Sequence, residues 1–303
     1  MSPATPKTRA RSLAELQARM QGMFTPEGVG HAFRFKARPT DVFITPFGKC
    51  GTTWLQQIVH SLRTRGDLEF DDISRVVPWL ETSTDLGIDL DAPQRGEPRA
   101  FKSHLPWGPI PKGGKYIVSL RDPKDALVSM YRFMEGWFLE PGAVAIEDFA
   151  RQRYMQRKDG MDYWSHLLSW WGERDNPAVL LLAYEHMKAD LPGTIERVAA
   201  FIGIPLDPAL RRIVEQQASL QSMLEHKGKY DDLMMRQRSE EVANLPPGSD
   251  SAKVRKGQVG SHREELPAAV IDELDAIWRS VVTPHTGADS YAALIATLPS
   301  AEP

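Results

Sequence analysis

Asp41–Trp54 reads DVFITPFGKCGTTW, and the fold turns on it. Val42, Phe43 and Ile44 are a short apolar run of the kind that forms a buried strand. The run breaks at Pro46 into a loop holding Gly48 and Gly51. Thr52 and Thr53 then open a helix whose buried face is spaced by Leu55, Ile58, Val59 and Leu62. Such a loop can turn several backbone N–H groups inward, and the helix N-terminus adds free donors and partial positive charge, which together make an oxyanion site. Lys49 places an ammonium among those donors. The nucleotide triphosphate loop G-x-x-x-x-G-K-[ST] does not match, because here the lysine stands two residues before the glycine that opens the helix. An ordinary strand-to-helix turn also favours Gly and Thr, so the loop alone leaves both readings open.

Outward from this stretch, the totals describe an ordinary globule: 303 residues, 42% hydrophobic and 25% charged. A net charge of −3 gives no global field for nucleic acid, so an anion site must be a local concentration of Lys, Arg and N–H groups. The single cysteine, Cys50, excludes a disulfide within the chain and fits a reducing compartment. At a helix N-terminus its thiolate is expected to be favoured. No apolar run approaches the roughly eighteen residues that span a bilayer, so no integral membrane segment and a cytoplasmic location are expected.

In chain order, residues 1–11 read as a disordered tail and 12–298 as one domain. Ser12 to Met23 has helical spacing. Strands are expected at 42–44, at Arg99–Pro106, at Lys115–Leu120 and at Val179–Ala183, the last continuously apolar as in doubly covered parallel sheets. Asp122 can cap a helix starting at Pro123, and further helices are expected at Ile146–Tyr154, Tyr163–Trp171, Leu191–Ile202, Ala209–Gln216 and Ala268–Val281. Gly228 to Lys256 loses apolar periodicity, and 228–254 reads as a mobile flap. The fold class is therefore α/β: a single domain with a central, mostly parallel sheet flanked by helices and a P-loop-like strand-loop-helix. Ligands of such sheets gather at the carboxyl ends of the strands. Lys49, Lys102 to His104, Arg121 and Tyr184 each follow one of the four strands.

Lys49, Gly51, Thr52, Thr53 and Trp54 match the K-x-G-T-T-W of the cytosolic sulfotransferases, and the chain resembles that family from about Asp41 to Gly260. Its members transfer a sulfuryl group from 3′-phosphoadenosine 5′-phosphosulfate (PAPS) and release 3′,5′-ADP. The resemblance gives the loop, Cys50 included, to the 5′-phosphosulfate end of the donor. Gly48 and Cys50 stand where the family usually has proline and serine. Lys102-Ser103-His104 resembles the family's K-T-H. Positions 102 and 104 of a strand share a face, so a lysine and a histidine address one pocket. A neutral imidazole suits removal of the acceptor's proton, and the adjacent lysine helps to keep it neutral, which makes His104 the general base. Sulfuryl transfer is treated like phosphoryl transfer, dominated by positioning and electrostatics. Lys49 is assigned to the charge on the leaving 5′-phosphate and Lys102 to the oxygens of the transferring group.

The resemblance further implies that Arg121 and Ser129 bind the 3′-phosphate, that Arg255, Lys256 and Gly257 clamp it, that Tyr184 contacts adenine, and that Ser219 and Met223 line the adenine pocket. Leu220 stands where an aromatic usually stacks. No metal is expected, since a sulfate ester carries less charge than the phosphates for which kinases need Mg²⁺. The partner is a small-molecule acceptor, an alcohol, phenol or amine, in an apolar pocket near Trp79, Trp107, Phe133 to Phe138 and the flap. A nucleotide kinase-like phosphoryl transferase and an inactive nucleotide-binding module are the rivals. The family's dimer motif K-x-x-x-T-V-x-x-x-E is not evident after Gly260, which leaves the oligomeric state open.

Overall fold

A computed structural model describes residues 7–157, 160–251 and 253–299. Four parallel strands form the sheet in the order β2-β1-β3-β4, with β1 at Val42–Ile44, β2 at Ala100–Lys102, β3 at Lys115–Leu120 and β4 at Val179–Ala183. The chain leaves β1 for one neighbour and returns on the other side of it, so the sheet reverses direction beside the carboxyl end of β1. The loop at 45–51 begins there.

Alternation along the strands divides the core in two. Phe43 pairs in register with Phe101 and Tyr116, and the three rings stack at 5.6 and 5.4 Å between centroids. This face is covered by the helices Pro123–Trp137, Tyr163–Trp171 and Ala268–Ile277. Val42, Ile44 and Ile117 point the other way, into the helices Thr52–Thr64, Leu191–Ile202 and Pro208–Gln217. A buried fork pins the start of the sheet: Arg99 Nε and Nη2 donate to the two carboxylate oxygens of Asp41 at 2.9 and 2.6 Å, and Val42 N–H donates to Arg99 O at 2.9 Å. Asp122 caps its helix as expected, accepting from Lys124 N–H at 2.8 Å.

Three expectations are corrected. The tail expected over 1–11 is structured at its end: Ala10 is fully buried and bridges to Leu139, its N–H donating to Phe138 O at 2.8 Å, while 1–6 lie outside the described residues. The second strand stops at Lys102 because Ser103 Oγ accepts from Leu105 N–H at 3.0 Å and His104 N–H turns to Glu81 Oε1 at 2.8 Å. The stretch from Gly228 onward is not a plain loop. It holds the 3₁₀ turn Lys227–Tyr230 and the helix Leu233–Val242, and Tyr230 is buried with its hydroxyl on Gln57 Oε1 at 2.8 Å. That helix has little amphipathic pattern and was invisible to periodicity. It is tied to the N-terminal helices instead, with Arg238 donating to Gly22 O at 2.7 Å and Met23 O at 3.1 Å and Arg19 to Ala243 O at 3.2 Å. A short helix missed by sequence reading, Pro26–Arg34, belongs to the same wall. No helix among the described residues is long and apolar enough to cross a membrane.

Asp41→Ala leaves the Arg99 guanidinium buried without its partner and is expected to lower the unfolding free energy by about 3–5 kcal/mol. Glu273→Ala, at the exposed pair with Arg151, is expected to leave it nearly unchanged. Urea denaturation of both variants checks the contrast.

Candidate active site

The loop after β1 is held by its carbonyl groups. Cys50 N–H closes a turn onto Phe47 O at 3.1 Å, Ser119 Oγ donates to Cys50 O, and Arg121 Nη1 donates to Lys49 O at 2.9 Å. Lys49 and Gly51 take left-handed backbone, with φ of 69° and 98°. A Cβ on Gly51 would also sit 3.1 Å from the Tyr184 ring. The first bond of the Thr52–Thr64 helix runs from Leu55 N–H to Gly51 O at 3.0 Å, so the N–H groups of Thr52, Thr53 and Trp54 precede the ladder. Thr52 Oγ1 is buried with no partner.

This loop forms one end of a cavity of about 750 Å³. Its wall includes Lys49, Gly51, Thr52, Thr53 and Trp54, together with Lys102, His104, Arg121, Ser129, Tyr184, Ser219, Met223, Arg255, Lys256 and Gly257. Every site residue expected from the sequence is brought together there except Cys50. The Cys50 side chain is buried behind the loop, and burial pushes its thiol up to about 12, so the expected thiolate is corrected: desolvation outweighs the helix terminus.

His104 lies just past β2. Its Nδ1 is 2.7 Å from Pro46 O. A carbonyl can only accept, so Nδ1 carries the proton and Nε2 keeps a free lone pair. Burial, and next the Lys102 charge, bring its pKa down to about 3. Lys102 is buried with its Nζ 3.7 Å from the centre of the Trp79 ring. Burial lowers it to about 7, although the Asp232 carboxylate 3.9 Å away opposes the shift. Lys49 is half-buried, its Nζ 4.5 Å from the Phe133 centroid, and desolvation followed by the charges of Lys253 and Arg121 brings it to about 7 as well.

Arg121 stacks on Tyr184 at 4.4 Å, donates to Lys49 O and to Gln258 O at 3.3 Å, and keeps a buried Nε with no partner. Asp125, in the first turn of the helix after Arg121, is taken up elsewhere: His262 Nδ1 lies 2.8 Å from it and Gly260 N–H donates to it at 2.6 Å. Burial works against the ionised form, yet these bonds hold Asp125 at about 2. They also fasten the Arg255–Gly260 segment to the Pro123–Trp137 helix. Ser219 lines the cavity with its hydroxyl already engaged, donating to Gln216 O at 2.7 Å and accepting from Ser222 N–H at 3.2 Å.

Much of the remaining cavity wall is apolar. Trp79, Phe133, Met134, Trp137 and Phe138 line it as expected. Trp107 does not: it packs against Tyr116 and Trp170 at 5.3 and 5.4 Å. Met20 at the end of the first helix, Met23 and Phe24 in the turn after it, and Val29 and Phe33 of the missed Pro26–Arg34 helix complete the wall and were not assigned to it from the sequence. Asp232, Lys253 and Glu81 also reach the cavity, and no motif flagged them.

A model of the sulfotransferase domain family matches residues 39–286. The chain is 31% identical to bovine sulfotransferase 1E1 over 254 residues, covering 80% of this chain and 83% of that one, and 28% identical to rat sulfotransferase 1C2 over 256 residues, covering 81% and 84%. Among solved structures, it resembles retinol dehydratase in complex with androsterone and inactive cofactor PAP, with a TM-score of 0.67 at 21% identity over 89% of this chain and 94% of that one. It also resembles mouse sulfotransferase SULT7A1 complexed with PAP, with a TM-score of 0.65 at 22% identity over 86% and 91%. This chain belongs to the sulfotransferase family. It is an enzyme that transfers a sulfuryl group from PAPS to a small acceptor, and the left-handed loop, the orphaned Thr52 hydroxyl and the orphaned Arg121 nitrogen fit that donor.

Binding an anion favours the ammonium forms of Lys49 and Lys102, which in the free protein lose their protons near pH 7. From pH 7 to 9 the affinity for 3′,5′-ADP is expected to fall, with proton uptake on binding. Calorimetry in buffers of different ionisation enthalpy measures that uptake; an affinity flat over this range would contradict it.

Proposed function

We propose that the acceptor is a small alcohol or phenol with an apolar body, and that His104 Nε2 takes its proton. The observation that carries this reading is the position of His104, with Nδ1 bound to Pro46 O and the ring 5.2 Å from the Trp79 ring that Lys102 also meets, in one cavity. Burial and the Lys102 charge keep the ring neutral, so it can accept a proton without first losing one. An ammonium acceptor would enter a cavity already holding Lys49, Lys102 and Arg121, and like charges repel, which favours a hydroxyl over an amine. Retinol dehydratase, a neighbour in fold, has been solved with retinol and with androsterone, molecules of this apolar kind.

PAPS supplies the activated sulfuryl group and the 3′,5′-ADP that leaves. The residues of this chain bind and orient it. Thr52, Thr53 and the loop N–H groups take the 5′ end, with Lys49 on the leaving phosphate and Lys102 on the transferring oxygens. Arg121, Ser129, Arg255, Lys256 and Gly257 take the 3′-phosphate, and a guanidinium fork suits its paired oxygens. Tyr184, Ser219 and Met223 border the base. The 228–254 segment, Trp79 and the N-terminal helices close off the acceptor.

His104→Ala is expected to lower kcat with PAPS and a phenolic acceptor by about 10²–10⁴-fold while changing the 3′,5′-ADP affinity less than about twofold. Arg121→Ala is expected to remove the preference for 3′,5′-ADP over 5′-AMP, a loss of about 10–100-fold. Steady-state kinetics and calorimetry read the two effects. Unchanged kcat in the first variant would remove His104 as base, and an unchanged preference in the second would remove Arg121 from the 3′-phosphate.

A further inference from the structure

The 228–254 segment brings two charged groups into the cavity that the motif residues do not account for. Asp232 is buried, sits in left-handed backbone at φ 49° just before the Leu233–Val242 helix, and lines the cavity. Asn and Asp tolerate that conformation better than other non-glycine residues. Its Oδ2 meets Lys253 Nζ, and its Oδ1 lies 3.9 Å from Lys102 Nζ with no hydrogen-bond partner. The Lys253 side chain is only 9% exposed and is also part of the cavity wall. One carboxylate therefore bridges two lysines of different origin, one on the end of β2 and one two residues before Arg255.

We propose that Lys253 is a third electrostatic residue for the sulfuryl end of the donor, aimed by Asp232. The inference rests on the reading of Lys49 and Lys102 given above. Lys253 stands at the catalytic end of the cavity: its charge acts on Lys49, on Lys102 and on His104. Of the 3′-phosphate residues, Arg121 and Ser129 lie on β3's end and the helix after it, while Arg255 to Gly257 follow Lys253 closely in the chain; what groups Lys253 with the sulfuryl end is its contact with Asp232 beside Lys102. Charge also matches. Lys49, Lys102, Lys253 and Arg121 against Asp232 and Glu81 leave this part of the cavity net positive, and the phosphosulfate bridge brings one negative charge on its phosphate and one on its sulfate. Asp232 cannot release Lys102 and Lys253 to solvent, since all three are nearly enclosed. It can only hold them until an anion arrives. Lys253 addresses the same transferring oxygens as Lys102 but from a different segment, so negative charge accumulating there meets two cations.

The test compares PAPS with 3′,5′-ADP, which differ only by the sulfuryl group, in calorimetric titrations without acceptor. Lys253→Gln is expected to weaken PAPS at least about tenfold while 3′,5′-ADP changes less than about threefold. Lys253→Arg is expected to keep the wild-type ratio of the two affinities. Lys253→Met, which retains the apolar stem, serves as the second neutral variant should glutamine disturb folding, judged by the thermal midpoint. A lysine that merely neutralises Asp232 would leave the ratio unmoved, so an unchanged ratio in a folded neutral variant overturns the proposal alone. A wild-type protein that fails to prefer either ligand to 5′-AMP overturns the donor reading and the proposal together.

Discussion

Ammonium groups repel one another and resist leaving water, yet this protein gathers Lys49, Lys102 and Lys253, with the Arg121 guanidinium, in one part of a cavity where the Asp232 carboxylate lies beside two of them. Everything else in the fold serves that constraint. The cations come from different strand ends and from a distant segment, so no one element bears the repulsion. The parallel sheet, pinned at its start by the Asp41–Arg99 fork and stacked through Phe101, Phe43 and Tyr116, fixes where those ends lie. Trp79 and Phe133 offer ring faces to Lys102 and Lys49, an attraction that needs no counter-charge. Burial first, and the neighbouring cations after it, leave two lysines near pKa 7, ready to be recharged when an anion enters.

The donor half of the site was legible because short-range backbone rules produce it. A strand that breaks into glycines and reopens as a helix has few ways to fold, and Lys49, Thr52 and Thr53 are carried along by it. Lys102, His104, Arg121 and Tyr184 could be read because parallel sheets present their carboxyl ends on one edge. His104 shows the margin of that rule: it faces the cavity although the strand has already ended, held by Glu81 and Pro46. The acceptor half was not legible. Met20 belongs to a helix whose apolar spacing says only that one face is covered, not by what, while Phe24 sits in the turn after it and Phe33 in a helix the spacing did not reveal. Asp232 and Lys253 sit in a segment without period, where charge in sequence looks the same whether it is solvated or enclosed. Trp107 was misplaced for the converse reason, since an aromatic near a site motif packs into a core just as readily.

The positions where the loop departs from its family have partners in the structure. Gly48 faces Met130, whose methyl would lie 2.9 Å from an added Cβ, so the site is already filled. Cys50 occupies a buried space behind the loop, where its Sγ makes only a weak contact with Gly48 O at 3.9 Å. Leu220 borders Gly257, 3.4 Å from where a Cβ would stand, and packs the clamp segment rather than leaving a gap. Each change is met by a neighbour, which is how a packed interior absorbs substitution without losing its shape.

The two walls of the acceptor pocket are fastened to each other. Arg238 and Arg19 carry hydrogen bonds between the Leu233–Val242 region and the N-terminal helices, and Arg238 also reaches Asp85 O at 3.3 Å. Two segments whose bonded residues stand 216 and 224 positions apart thus form one unit. Such a unit frays as a whole, at a free energy below that of global unfolding. Amide exchange would find these walls opening together while the sheet stays shut. The chain can therefore drift in what it sulfonates, over evolutionary time or on warming, while the chemistry at its centre stays fixed.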